Sequence, residues 1–481
     1  MLAIQGASDG TVAQAPSGLT LQSSETYQPE GERMRWLPLA TCCVAMVLIA
    51  SRRLPVQELE GDPAPQDLGV RAQVLLQMPE AARAGPDFDV DRATQAWLDT
   101  LTPEQRARSD AYFEGGYWLH LWGFLYGLGV AGLLLFGRLS AWLRDRTRWT
   151  RWPALNAGFY GSGYLVLVAL LSLPSSLYTG FFREHQYGLS NLSLAGWFGE
   201  WGKDISVSVV LGVIAFTVLY AVFGRAQRTW WMWGTAVAIA FFAFVMMIAP
   251  VFIEPLFNDY KPLPQGPIRT EILGLARAND IPVDNVYWFN ASKQTNRISA
   301  NVAGFGPTTR VALNDNLLMR SSNEGIEAVM GHEMGHYVLN HVYKGLVEFA
   351  VVLFIGFAFV SWGFKRLTSR YGARWAVGGI DDPAAFPVIM ALFSVYLFVV
   401  TPVTNTITRS MEMEADLYGL NAAGQPDGFA STAMKLSSYR KIDPGSWEEI
   451  IFYDHPSGRT RVHTAMQWKA EHLDSGEGMR R

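Results

Sequence analysis

Cysteine is nearly absent from this chain of 481 residues, and the two that occur, Cys42 and Cys43, are adjacent. Neighbouring cysteines cannot close a conventional structural disulfide and are not spaced as a metal clip, which excludes a disulfide scaffold and a thiolate site. Charge is also scarce: Asp, Glu, Lys and Arg make up 17% of the residues, against about 25% in an ordinary soluble domain. With a net charge of −4 and no basic block, the chain lacks the electrostatic footprint of a nucleic-acid binder. No internal repeat is visible. Histidine is rare as well, at 8 residues, so a cluster of histidines carries weight.

What the chain has in quantity is apolar sequence, 49% of all residues. Runs recur at 36–50, 117–136, 154–173, 205–223, 230–251, 346–364 and 386–403. Most approach the roughly 20 residues needed to cross a hydrocarbon core, so about seven transmembrane helices are expected. Trp118, Trp122, Trp230, Trp231, Trp233 and Trp362 fall near run ends, as interfacial aromatics do. The first run is short, is flanked by Arg33, Arg35, Arg52 and Arg53, and has no A-x-A site after it. It reads as a retained anchor, not a signal peptide.

The expected organisation is a disordered tail (1–35), a first transmembrane helix (36–53) and a polar extramembrane insert (54–116). Transmembrane helices 2–5 follow (117–252), then a small α/β lobe (253–344), helices 6 and 7 (345–405) and a carboxy-terminal part of the lobe (406–481). Thr102-Pro103-Glu104-Gln105 has the form of a helix start. Within the lobe, 267–279 and 322–340 read as helices, and 286–289 and 310–314 as short strands. The fold class is thus predominantly α, a polytopic membrane protein carrying a small α/β lobe. The excess of Arg over Lys suggests a GC-rich bacterial genome, which places the protein in a bacterial inner membrane.

His332-Glu333-Met334-Gly335-His336 is an H-E-x-x-H pattern. Helical residues four apart share a face, so both imidazoles can reach one cation while Glu333 stands beside it. Ser322 or Asn323 can cap that helix, and Ile326, Val329, Met330 and Tyr337 give it an apolar face. Two surface histidines on an amphipathic helix are the plain alternative. Leu339 and Val342 occupy the places where a metzincin would carry its glycine and third histidine, and His341 points to another face. A glutamate from another helix remains as a common third ligand. Glu412 and Asp416, four apart, share a face that Glu414 does not, which suits a ligand and an acceptor for a ligand histidine. An ordinary acidic solvated helix would read the same way, so spacing alone leaves the choice open.

H-E-x-x-H, two apolar runs and then R-x-x-E-x-x-A-D (Arg409 to Asp416) resemble the type I CAAX prenyl endopeptidases, a family of membrane gluzincin zinc proteases. Supporting blocks run from about residue 173 to Arg461 and include Pro174–Tyr178, Pro255–Asn258, Pro262–Gly266, Ser292-Lys293 and Val311–Asp315. The resemblance implies one Zn per chain held by His332, His336 and Glu412, with Asp416 as helix neighbour. It implies that His455 stabilises the oxyanion and Arg461 orients groups in the site. Ala300-Asn301-Val302-Ala303 stands where the family has S-N-A-Y; Asn301 is retained as a substrate-binding residue, and the aromatic is missing.

The expected chemistry is zinc-assisted hydrolysis of a peptide, prenylated or not, with Glu333 as general base. A substrate strand is expected to pair near 298–304. The alternatives are a quality-control protease without prenyl specificity, and a non-enzymatic polytopic protein with a structural metal. Arg138, Arg144, Arg146, Arg148, Arg151, Arg225, Arg228, Lys365 and Arg366 crowd the loops opposite the lobe. The positive-inside rule puts those loops in the cytoplasm and the lobe outside, whereas the resemblance implies the opposite face. Composition fixes no oligomeric state.

Overall fold

The computed structural model describes residues 77–303 and 309–473. The expected tail, the run at 36–50 and the cysteine pair lie outside them. Helix α1 (Val90–Leu98) is capped by Asp89, which accepts from the Arg92 N–H. Thr102 opens α2 (Pro103–Phe136) with a reciprocal cap: its hydroxyl accepts from Gln105 N–H at 3.2 Å, and Gln105 accepts from Thr102 N–H at 3.0 Å. The 34 residues of α2 reach about 50 Å, more than the roughly 30 Å hydrocarbon core. Its polar first turns therefore stand outside, and the expected boundary at 117 falls within one continuous helix.

Helix α3 (Leu139–Arg146) leads into α4 (Pro153–Leu177), which continues through a π-helical turn at Tyr178–Phe182 to Gln186. Then come α5 (Leu194–Arg225) and α6 (Trp230–Ile248). Glycine brings α4 onto α5: a Cβ on Gly158 would sit 2.3 Å from Thr217 Oγ1, and one on Gly161 2.2 Å from the Phe216 ring. Close backbone approach through small residues is how helices pack without a hydrophobic driving force between them.

The lobe contains β1 (Tyr260–Pro262), α7 (Pro267–Ala278), β2 (Val286–Phe289), β3 (Ala300–Ala303) and β4 (Arg310–Asn314). The sheet order is β1-β2-β4-β3, with β2 and β4 parallel and the other pairs antiparallel. Strand β3 is thus an edge. Helices α8 (Asp315–Arg320) and α9 (Asn323–Val338) follow, then the long α10 (His341–Trp375) and α11 (Phe386–Ala423). Ile326, Met330 and Met334 of α9 are fully buried against Val311 and Leu313 of β4. Each such burial stabilises by about 1.5–3 kcal/mol. The chain ends with α12 (Pro426–Leu436), α13 (Ser446–Phe452) and α14 (Gly458–His472).

Among the described residues six helices are long and apolar enough to cross a membrane: α2, α4, α5, α6, α10 and α11, with α4, α6 and α11 extended by adjoining turns. Every apolar run expected there lies on one of them, and the protein is a multi-pass membrane protein. Part of the polar insert packs on the lobe: Trp97 and Leu98 of α1 join Phe429, Val462 and Met466 in one core. Lys469 fastens it, donating to the Ala82 carbonyl at 2.6 Å while pairing with Asp427 at 2.7 Å.

Candidate metal and catalytic site

Ser322 caps α9 by accepting from the Gly325 N–H at 3.2 Å. Its third and fourth turns carry His332, Glu333 and His336. Asn340 takes a left-handed conformation (φ 57°), which Asn tolerates better than most residues. There α9 stops and α10 begins at His341.

The third ligand candidate arrives on α11, and small residues let it arrive. A Cβ on Gly331 would sit 2.9 Å from the Gly419 carbonyl oxygen, one on Gly335 3.2 Å from Ala415 Cα, and one on Gly419 2.6 Å from His332 N. Main chain therefore lies on main chain where the helices cross, and a short glutamate side chain can reach both imidazoles.

His332 Nε2 and His336 Nε2 lie 3.2 Å apart, and Glu412 places Oε2 and Oε1 3.4 Å from them. A tetrahedral ion with bonds of about 2.0–2.2 Å separates its ligand atoms by roughly 3.3–3.5 Å. These donors have that spacing, and the group fits a zinc-sized cation. Asp416, almost fully buried, sets Oδ1 2.8 Å from His332 Nδ1, off the line of a good hydrogen bond. Arg461 bridges the two carboxylates, donating from Nε to Asp416 at 2.9 Å and from Nη2 to Glu412 at 3.1 Å. His455 Nε2 stands 3.3 Å from Glu412 Oε2, and its Nδ1 2.7 Å from Asp454.

The electrostatics follow from this crowding. Burial alone would lower the pKa of His332, but the carboxylates of Asp416 and Glu412 outweigh it and push the imidazole up to about 10. Burial, with His332 as a like charge, pushes His336 down to about 4. Burial also pushes Glu333 up to about 7. At neutral pH the metal-free centre thus keeps a proton on His332, none on His336, and Glu333 is near its midpoint.

His332, Glu333, His336, Glu412, Asp416, His455 and Arg461 all line one cavity of about 290 Å³. Ile298, Ser299 and Ala300 form one wall, with Phe429, Ala433 and Leu436 elsewhere in the lining. Asn301 is not part of that lining. It sits one residue further along β3, opposite Ala312, with its side-chain oxygen buried and without a hydrogen-bond partner. His341 is outside the ligand group but touches it, its Nδ1 2.9 Å from His336 Nδ1. Glu414 faces away from the ligands and pairs with His341 and Lys344. Sequence reasoning missed the helix crossing, although Gly331-x-x-x-Gly335 and Ala415-x-x-x-Gly419 have the spacing of close-packed helices. It also missed Arg440, which lines the cavity and follows no motif.

Two family models match the chain. The one described as CAAX prenyl protease N-terminal, five membrane helices, covers residues 91–259, and the one described as peptidase family M48 covers residues 262–469. The likeness thus begins well before residue 173. The chain is 32% identical to the metalloprotease YhfN of Bacillus subtilis over 64% of this chain and 74% of that protein. It is 27% identical to CAAX prenyl protease 1 of Saccharomyces cerevisiae, over 63% of this chain and 70% of that protein. The CAAX prenyl protease 1 homolog of Oryza sativa is also 27% identical, over 61% of this chain and 69% of that protein. The crystal structure of S. mikatae Ste24p shares the fold, with a TM-score of 0.66 at 20% identity, over 78% of this chain and 94% of that one.

Proposed function

The chain belongs to peptidase family M48 and is a multi-pass membrane metalloendopeptidase, and from that premise we propose how its own residues perform the reaction. The reading rests on one observation, the three facing donors of His332, His336 and Glu412 at 3.2–3.4 Å. These residues hold zinc. When bound, the ion acidifies a water and polarises the scissile carbonyl.

Glu333 is the general base. It lines the cavity, and no hydrogen bond or ion pair to another described residue occupies its carboxylate. Burial keeps its pKa near the pH at which a base must both take and return a proton. His455 donates from Nε2 to the oxyanion that develops on the carbonyl, its ring held by Asp454. Arg461 positions Glu412 and Asp416, and Asp416 in turn orients His332. The substrate lies extended along β3, the edge of the described sheet beside α9, adding a strand near 298–303, with Asn301 within that stretch.

The relatives named CAAX prenyl proteases make a prenylated peptide the first candidate substrate. An unmodified membrane-inserted peptide is the second, favoured by the absence of an aromatic at Ala300-Asn301-Val302-Ala303. The test uses the purified full-length protein: zinc content by elemental analysis, then cleavage of matched farnesylated and unmodified peptides with and without a chelator. Stoichiometric zinc and chelator-blocked cleavage are expected. Cleavage that persists after complete metal removal would refute the mechanism, and the ratio of the two peptides decides between the substrates.

A further inference from the structure

Arg440 is a cation in the active-site cavity to which the mechanism above gives no task. The segment carrying it is fastened on every side. The Arg440 carbonyl accepts from Ser109 Oγ of α2 at 2.8 Å. Arg297 lies over the ring of Tyr439 at 5.3 Å. Lys441 pairs with Glu114 and Glu448 at 2.7 and 3.0 Å, and its carbonyl accepts from the Tyr453 hydroxyl at 2.8 Å. The guanidinium itself makes no hydrogen bond or ion pair to any described residue, yet it lines the same cavity as the ligand triad.

The neighbouring charges sharpen the point. Arg461 is consumed by two carboxylates, Asp416 and Glu412. The cavity side of His455 meets Glu412 and its other nitrogen meets Asp454. Arg440 is the cation in the lining whose guanidinium makes no ion pair; Asp454 and Glu412 attract it only from beyond pairing distance. Burial and the like charge of Arg461 both work against it. A half-buried charge with no ion pair is incompletely compensated, and a planar five-donor fork is suited to hold a carboxylate in a bidentate grip.

We propose that Arg440 is the substrate-carboxylate subsite, gripping an acidic group of the peptide within a few residues of the bond that is cut. This rests on the peptidase reading. The carboxylate is either the peptide's own terminal α-carboxylate or an Asp or Glu side chain, and both present the same two oxygens. Selection of such peptides is the consequence, because an uncharged peptide leaves the guanidinium unpaired in the complex.

The test measures kcat/KM of the zinc-loaded full-length enzyme on three quenched peptides of one sequence. One ends in a free carboxylate, one in an amide, and one in an amide with a Glu placed near the cut. Charge-assisted hydrogen bonds predict a preference of about 10–100-fold for a carboxylate peptide over the plain amide. In Arg440→Gln the ratio falls to near one, and Arg440→Lys keeps part of it. A role in folding alone would lower both rates together and leave the ratio intact, which overturns the proposal. So does a wild type that cleaves all three peptides equally. Which carboxylate peptide is preferred identifies the source. Short acid-ended peptides should also inhibit the wild type more strongly than their amides, which tests the subsite without a mutation; equal inhibition counts against it. If none of the peptides is cut by the wild type, the peptidase reading fails first and this subsite fails with it.

Discussion

The Nδ1 atoms of His336 and His341 face each other at 2.9 Å across the α9–α10 turn. For His336 to present a lone pair at Nε2, its proton must sit on Nδ1 and be donated to His341. His341 then donates from Nε2 to Glu414 at 3.0 Å, and Lys344 holds Glu414 at 2.7 Å. The chain fixes the tautomer and the ring plane of one ligand. His341→Ala should weaken zinc binding by about 10–100-fold while leaving kcat at saturating metal far less changed. Competition with a chromophoric chelator measures the first effect and single-turnover kinetics the second. Unaltered zinc affinity would remove His341 from the site.

Zinc binding should displace a proton. His332, raised to about 10 by its two carboxylates, is protonated in the metal-free centre at neutral pH, whereas His336, at about 4, is not. The ion needs the Nε2 lone pair of His332, so affinity rises with pH below the raised pKa and levels off above it. Between pH 8 and 9, where Glu333 is already ionised, the slope should be about one decade per pH unit. Calorimetry in that pH window, in buffers of different ionisation enthalpy, should count close to one proton released per zinc, and none would contradict the assignment.

Glu333→Gln keeps shape and removes basicity. Turnover should drop by about 10²–10⁴-fold with the zinc content unchanged. In the wild type the base must be ionised. Burial sets its pKa at about 7 in the metal-free centre, and a bound cation lowers it. Activity should therefore fall with unit slope as the pH drops through a midpoint at or below 7. A Gln variant that retains wild-type kcat would assign the proton transfer elsewhere.

The crossing of α9 and α11 admits a graded test. A methyl on Gly419 meets the His332 backbone at 2.6 Å, whereas one on Gly335 meets Ala415 at 3.2 Å, a separation a small shift can absorb. Gly419→Ala should cost about 1–3 kcal/mol or more in stability and lose most of its zinc, while Gly335→Ala should keep it. Equal zinc content in the two variants would mean that the helix spacing does not set the site.

What the sequence conveyed follows from the range of each signal. The H-E-x-x-H helix and the apolar runs are local periodicities, and so is the Thr102 cap, which is why they could be placed. Glu412 could be nominated but not joined to His332, because no periodicity links helices separated by two membrane crossings. The resemblance supplied that join. Asp416, His455 and Arg461 converge for the same non-local reason. Arg440 was invisible because its character lies in what it lacks, a partner, and only three-dimensional neighbours reveal that. The apolar run from 117 and the Thr102 start belong to one helix because hydropathy marks where a helix enters lipid, whereas Thr102 and Gln105 decide where it begins.

Glu412 lies on α11, whose apolar part is the last described span, and α10 leaves the site and crosses before it. The catalytic centre is therefore stitched from both ends of a hairpin that must first be threaded into the bilayer. During synthesis the two histidines emerge before either of those crossings is made, with two of the three proposed ligands in place. On the proposed ligand set, metal capture would follow insertion, and a half-inserted chain would lack activity.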